Sequence, residues 1–190
     1  DHINLDSGWS ASDSDQFGRF VAHPTLFPQF PEMISQLKQK GLQVGVYLIP
    51  GVYCSDIEQK KPIYNAGDVA MDMICTKQDA NVFSGSRCRL NFKHPGAQAW
   101  VDSQVKMLAD WGVTFIKLDG CLPGSSSSIT SWDTKADVVA YHQAISKLPN
   151  RNMWLTVSWA VDEQPDSMAV WRGNADGFRV ATDIEQYGVN

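Results

Sequence analysis

This chain reads as an α/β protein on a parallel sheet of the (β/α)8, or TIM-barrel, type, and three observations carry that reading. Short apolar runs alternate with longer amphipathic stretches, the pattern of repeated β/α units. Polar and charged side chains gather just after successive apolar runs: Asp6 and Ser7, Tyr53, Lys117 and Asp119, Ser158 and Trp159, Arg179 and Asp183. No G-x-G-x-x-G or Walker sequence is present, so the phosphate loop expected at the switch point of an open sheet is missing. Chemistry spread over many strand ends is the layout of a closed barrel, whose sites lie at the C-terminal ends of its strands.

The elements follow in order. His2 to Leu5 is a short strand. Pro31 to Lys40 is an amphipathic helix with Met33, Ile34 and Leu37 on its apolar face, stopped by Gly41. Gln43 to Ile49 is a buried strand. Asp56 to Lys93 is a loop-rich insertion folding over the cleft mouth, where loops set substrate choice. Pro95 to Trp111 is a helix with Trp100, Val101, Val105 and Leu108 on one face, proline at its start and Gly112 just past its end. Val113 to Leu118 is the next strand, and Gly124 with Ser125 to Ser128 then forms a solvated connector. Ser131 to Leu148 is helical, Met153 to Ser158 is a strand, a short helix starts near Pro165, and Gly177 to Ala181 is the last strand. The 190 residues thus form one domain.

Composition narrows the function. With 43% hydrophobic residues and a net charge of −5, the chain has the balance of a globular domain. Acidic residues outnumber basic ones and no Lys/Arg run exceeds two residues, which excludes the basic stripe that nucleic acid requires. The longest apolar runs are strand-sized, so no membrane partner is expected. Cys54, Cys75, Cys88 and Cys121 lack Cys-x-x-Cys spacing and neighbouring histidines, and no metal site is expected. Read as two disulfides, Cys75 and Cys88 would close a loop inside the insertion while Cys54 and Cys121 would staple adjacent strand ends. Free buried thiols are the alternative. Disulfides would place the chain in a secreted or lumenal compartment. His23, His94 and His142 show no ligand or acid–base pattern and read as surface or core residues.

The candidate chemistry centres on Phe115-Ile116-Lys117-Leu118-Asp119-Gly120-Cys121. Side chains alternate along a strand, so Lys117 and Asp119 share a face, and a cation there would hold Asp119 ionised as a nucleophile. A structural ion pair is the bland alternative. The segment Gly177 to Ile184 adds a second cation and carboxylate, Arg179 and Asp183. Two carboxylates facing one cleft are the machinery of glycoside hydrolysis. Trp9 and Trp159 are candidates for covering the apolar face of a sugar, core packing being the competing use of a tryptophan.

Taken together, Asn4-Leu5-Asp6-Ser7-Gly8-Trp9, Gly18-Arg19, Phe27-Pro28, Lys40 to Tyr47, Lys117-Leu118-Asp119-Gly120-Cys121, and Phe178-Arg179 through Asp183-Ile184 resemble glycoside hydrolase family 27. That family contains α-galactosidases and α-N-acetylgalactosaminidases, and the match runs in order over nearly the whole chain. The resemblance implies a retaining, cofactor-independent hydrolase of α-linked oligosaccharides, with Asp119 as nucleophile and Asp183 as general acid/base, their carboxyls about 5–5.5 Å apart. It implies that Lys117 and Arg179 bind sugar hydroxyls and that Cys54 and Cys121 form a family disulfide. It also numbers the strands as the second to the sixth of the barrel. A full barrel needs about 250 residues, so the first, seventh and eighth strands would lie in a longer enzyme, and the unpaired edges point to self-association.

Two departures bear on substrate. Where the family has two adjacent aspartates gripping the galactose 4- and 6-hydroxyls, this chain has Asp6 and Ser7, and a serine cannot make a charge-assisted pair. Ser158 stands where α-galactosidases carry a glutamate for the 2-hydroxyl and N-acetylgalactosaminidases a serine. Isomalto-type glucans and α-N-acetylgalactosaminides are therefore alternative substrates. A sugar-binding protein without turnover is the alternative from another class.

Overall fold

A computed structural model of the protein describes residues 1–80, 87–124, 133–150 and 152–182. Strands β1 (His2–Leu5), β2 (Ser10–Ser14) and β3 (Phe20–Ala22) precede helix α1 (Phe30–Gln39) and strand β4 (Gln43–Leu48). The chain continues through β5 (Val52–Tyr53), α2 (Cys54–Glu58), α3 (Met71–Ile74), β6 (Cys75–Ala80) and β7 (Arg87–Leu90). The last elements are α4 (Pro95–Trp111), β8 (Phe115–Leu118), α5 (Lys135–Ser146), β9 (Trp154–Val157), α6 (Pro165–Asn174) and β10 (Gly177–Phe178). The connector Ser125 to Ser128 and the carboxylate Asp183 lie outside the described residues.

Strands β1, β4, β8, β9 and β10 form one sheet in that order, every neighbouring pair parallel. These are the five strands read from the sequence, joined by α1, α4, α5 and α6, and they make a partial barrel. Alternate residues divide the sheet into two faces. Val44, Val46, Leu48, Ile116, Leu118, Leu155 and Val157 are buried and join a core with Ile34, Trp100, Val105 and Leu108 from the helices. The other face carries Tyr47, Lys117 and Thr156, and there Trp154 is 58% exposed. His2, Asn4, Phe115 and Trp154 line a cavity of about 300 Å3 on that open face.

Local chemistry explains the best-read element. Helix α4 opens with Pro95, whose missing N–H costs nothing in the first turn, and the His94 ring caps it by accepting from the Gly96 amide at 3.1 Å. It stops at Gly112, whose φ of 94° is left-handed.

Two regions depart from expectation. Residues 10–22 form an antiparallel hairpin, β2 with β3, where the polar run Ser10-Ala11-Ser12-Asp13-Ser14 gave no strand signal. The insertion is more ordered than a loop. Its described residues form most of α2, α3, β6 and β7, the two strands extending β5 into a three-stranded sheet in the order β5, β7, β6. The cysteine pairing is also corrected: Cys54 bonds Cys88, while Cys75 and Cys121 are free thiols. Antiparallel pairing sets Val52 opposite Cys88, which brings Cys88 to the end of β5 where Cys54 begins α2. Cys121 instead turns inward, fully buried, and its thiol donates to the Leu118 carbonyl at 3.3 Å. Neither expected pair, Cys54 with Cys121 or Cys75 with Cys88, forms.

Candidate active site

Parallel register sets the site. Tyr47 pairs with Lys117 and Lys117 with Thr156, and Asp6 follows Leu5, which pairs with Val46. Asp6, Tyr47, Lys117 and Thr156 therefore form one row across four strand ends. Val157 pairs with both Leu118 and Phe178, so Asp119, Ser158 and Arg179, one residue further on, form a second row.

In the first row the Lys117 ammonium donates to Asp6 Oδ2 at 2.8 Å and lies 5.3 Å from the centroid of the Tyr47 ring. Partial burial opposes ionisation of Asp6. Hydrogen bonds from Lys117 and from the Ser7 amide, with the Lys117 charge, outweigh it and hold the carboxyl below its ordinary range. This corrects the expected pairing: the ion-pair partner of Lys117 is Asp6, at the end of β1, rather than Asp119 on its own strand. The ammonium reaches along the row, over Tyr47, to the more exposed carboxylate.

Asp119 follows β8 directly, and its amide donates to the Leu48 carbonyl at 2.8 Å. The residue is only 7% exposed, and Oδ1 has no hydrogen-bond partner among the described residues. Leaving a buried carboxylate oxygen unpaired costs about 1–3 kcal/mol or more. Burial, together with the charge and hydrogen bonding of Asp119, pushes the Tyr47 phenol well above the usual tyrosine range. Tyr47 thus stays protonated as a donor beside the carboxylate. Sequence reading did not single it out as a site residue. The signal that finds it is the register of Gly45-Val46-Tyr47 against Phe115-Ile116-Lys117.

Ser158 is buried at the end of β9, where its amide donates to Leu118 and its carbonyl accepts from Cys121. The next residues are strained: Trp159 has φ 103° and Ala160 φ 43°, conformations that cost of order 1–3 kcal/mol each for side chains with a Cβ. Surrounding contacts hold this turn. The Val161 amide donates to Arg179 O at 2.8 Å and the Asp162 amide to Pro123 O at 2.9 Å. Gly124 approaches so closely that a Cβ there would lie 2.6 Å from the Trp159 carbonyl. The strained turn lies beside Asp119, and Trp159 remains partly exposed.

Trp9 is corrected. It is 2% exposed, stacks on Phe30 and donates its indole N–H to the Tyr47 carbonyl at 2.6 Å. Its ring is covered on the core side of the sheet, so it supports the Tyr47 strand instead of presenting a face to a sugar.

Residues 1–172 match the sequence model of the family described as glycosyl hydrolases family 31 TIM-barrel domain. The chain belongs to that family. Among curated relatives of this glycosyl hydrolase domain, alpha-galactosidase 3 of Hypocrea jecorina is 34% identical over 193 residues, covering all of this chain and 30% of the relative. Among solved structures, a family 27 β-L-arabinopyranosidase from Geobacillus stearothermophilus superposes with a TM-score of 0.84 at 20% identity, over 96% of this chain and 45% of that one. An isomalto-dextranase from Arthrobacter globiformis, complexed with panose, gives a TM-score of 0.73 at 17% identity, over 94% and 32% of the two chains. Both structural likenesses support the barrel fold. The domain spans about a third of the length of the curated relatives it matches.

Proposed function

We propose that this domain carries the catalytic centre of a retaining α-glycoside hydrolase of family 27, acting on terminal α-D-galactosyl residues of oligosaccharides or glycoconjugates. The observation that carries this reading is the Asp119 carboxylate, buried at a strand's C-terminal end with one oxygen left without a partner among the described residues. Asp119 attacks the anomeric carbon and forms a glycosyl-aspartate as the glycosidic bond breaks. Asp183 gives its proton to the leaving oxygen, then takes one from the water that releases the sugar. Asp6, Ser7, Lys117, Ser158, Trp159 and Arg179 bind the sugar, and Tyr47 donates beside the nucleophile. The disulfide Cys54–Cys88 supports a secretory-pathway location.

Ser7 favours a second reading within the same chemistry. Its amide donates to Asp6 Oδ1 at 2.8 Å, leaving a hydroxyl where a second carboxylate would grip an axial 4-hydroxyl, and this suits α-glucan substrates. Side-by-side assays on p-nitrophenyl α-galactoside, α-N-acetylgalactosaminide and α-glucoside separate these readings. Trapping with 5-fluoro-α-galactosyl fluoride should expel the anomeric fluoride and leave a 5-fluorogalactosyl adduct on Asp119 in peptide mass spectra. An adduct on another residue, or release of sugar with inverted configuration, would sink the mechanism. Sugar binding without turnover would make the protein a lectin-like relative.

A further inference from the structure

Strand β7 holds a buried cation that the hydrolytic centre does not use. Arg87 pairs with Tyr53 across the β5–β7 ladder, and the next residue, Cys88, is locked to Cys54. Its guanidinium carbon lies 3.9 Å from the ring centroids of both Phe20 and Tyr53. Arg87 is 7% exposed, and its Nε and Nη1 atoms make no hydrogen bond among the described residues. Cation–π contact compensates part of the desolvation but satisfies neither N–H.

The carboxylate whose charge acts on Arg87 is already paired elsewhere. Asp56 is fully buried, accepts from Ser14 Oγ at 2.7 Å and pairs with Lys61 at 2.8 Å. Arg87 instead lines a cavity of about 530 Å3 together with Ser7, Ser10, Ser12, His23 and Tyr53, and no carboxylate lines it among the described residues. Tyr47 lines the same cavity, which therefore runs into the row of Asp6 and Lys117.

We propose that this cavity is a second subsite that takes an acidic substituent of the glycan, a uronate carboxylate or a sulfate ester, on the Arg87 guanidinium. The proposal rests on reading the adjoining cleft as a glycan site. A planar fork fixed by two aromatic rings and a disulfide loses little freedom when it receives a carboxylate or sulfate. Serine hydroxyls and the imidazole of His23 supply further polar contacts, and no carboxylate among the described residues lines the cavity to oppose the ligand.

Calorimetric titration of the protein with D-glucuronate, inorganic sulfate and D-glucose tests this directly. At least one anion should bind roughly tenfold or more tightly than glucose, and raised salt should weaken it. Glucuronate alone identifies a uronate source, sulfate alone a sulfate ester, and either result supports the subsite. Arg87→Gln should reduce anion affinity to the level of glucose. Ser10→Glu, which leaves the aromatic cradle of Arg87 intact, should do the same by placing a carboxylate in the cavity. Equal affinity for glucuronate, sulfate and glucose, or anion binding that survives either substitution in folded protein, overturns the proposal. Because binding needs no turnover, an inactive enzyme would defeat the hydrolase reading alone.

Discussion

Two buried aspartates in this molecule have opposite surroundings. Asp56, at 0% exposure, is closed: Ser14 donates to it and Lys61 pairs with it at 2.8 Å. Asp119, at 7%, is open: its Oδ1 has no partner among the described residues. The first is a fully compensated charge that ties the β2–β3 hairpin to α2. The second keeps Tyr47 as a neighbouring donor but leaves Oδ1 without a partner among the described residues, the kind of lone pair a bound molecule can use. Burial of a carboxylate alone therefore says little; its remaining lone pairs decide between structure and chemistry.

The largest expected effect breaks the open side. Asp119→Asn should lower kcat on an α-galactoside by at least about a thousandfold, while the melting temperature stays level or rises because a buried, only partly satisfied carboxylate is gone. A kcat within tenfold of the wild type would remove Asp119 from the mechanism.

On the closed side, Asp56→Ala strands the Lys61 ammonium and should cost about 3–5 kcal/mol in urea unfolding. Burial opposes the charge on Lys61, but Asp56 and Asp13 raise its affinity for the proton above the ordinary 10.5. Its stabilisation is therefore complete below pH 10.5 and lost as pH rises through the folded value. Equal stability of the two proteins at pH 7 would show that the pair holds nothing.

Next in size is the crosslink beside Arg87. Cys88→Ser opens a bond between residues 34 apart and should cost about 2–4 kcal/mol. Non-reducing peptide mapping should recover Cys54 joined to Cys88. A fragment joining Cys54 to Cys121 would restore the pairing that the family resemblance implies.

The smallest effect belongs to the exposed pair. Asp6→Asn should change stability by less than about 1 kcal/mol at neutral pH but raise KM, since it releases Lys117 from its row. Asp6 is held below 3.8, so the pair's small stabilisation is present above that pH and lost as pH falls through the folded value. A melting-temperature difference between wild type and Asp6→Asn that persists well below pH 3 would contradict this.

Sequence alone determined the five parallel strands and the helices between them, because apolar periodicity and end signals such as Pro95 and Gly112 act locally. It also placed Asp119 at a strand end, since Lys117-Leu118-Asp119 is itself an alternating run. The partner of Lys117, the place of Tyr47, the burial of Trp9 and the Cys54–Cys88 bond depend on register between segments far apart in the chain. A shift of one residue in that register would turn each side chain to the other face. The hairpin at Ser10–Ser14 was illegible for a related reason: its polar residues are held by contacts such as Ser14 with Asp56, 42 positions away, which no local pattern encodes. Periodicity fixes which elements form, whereas pairing across the sheet decides which charges meet and which stay open for chemistry.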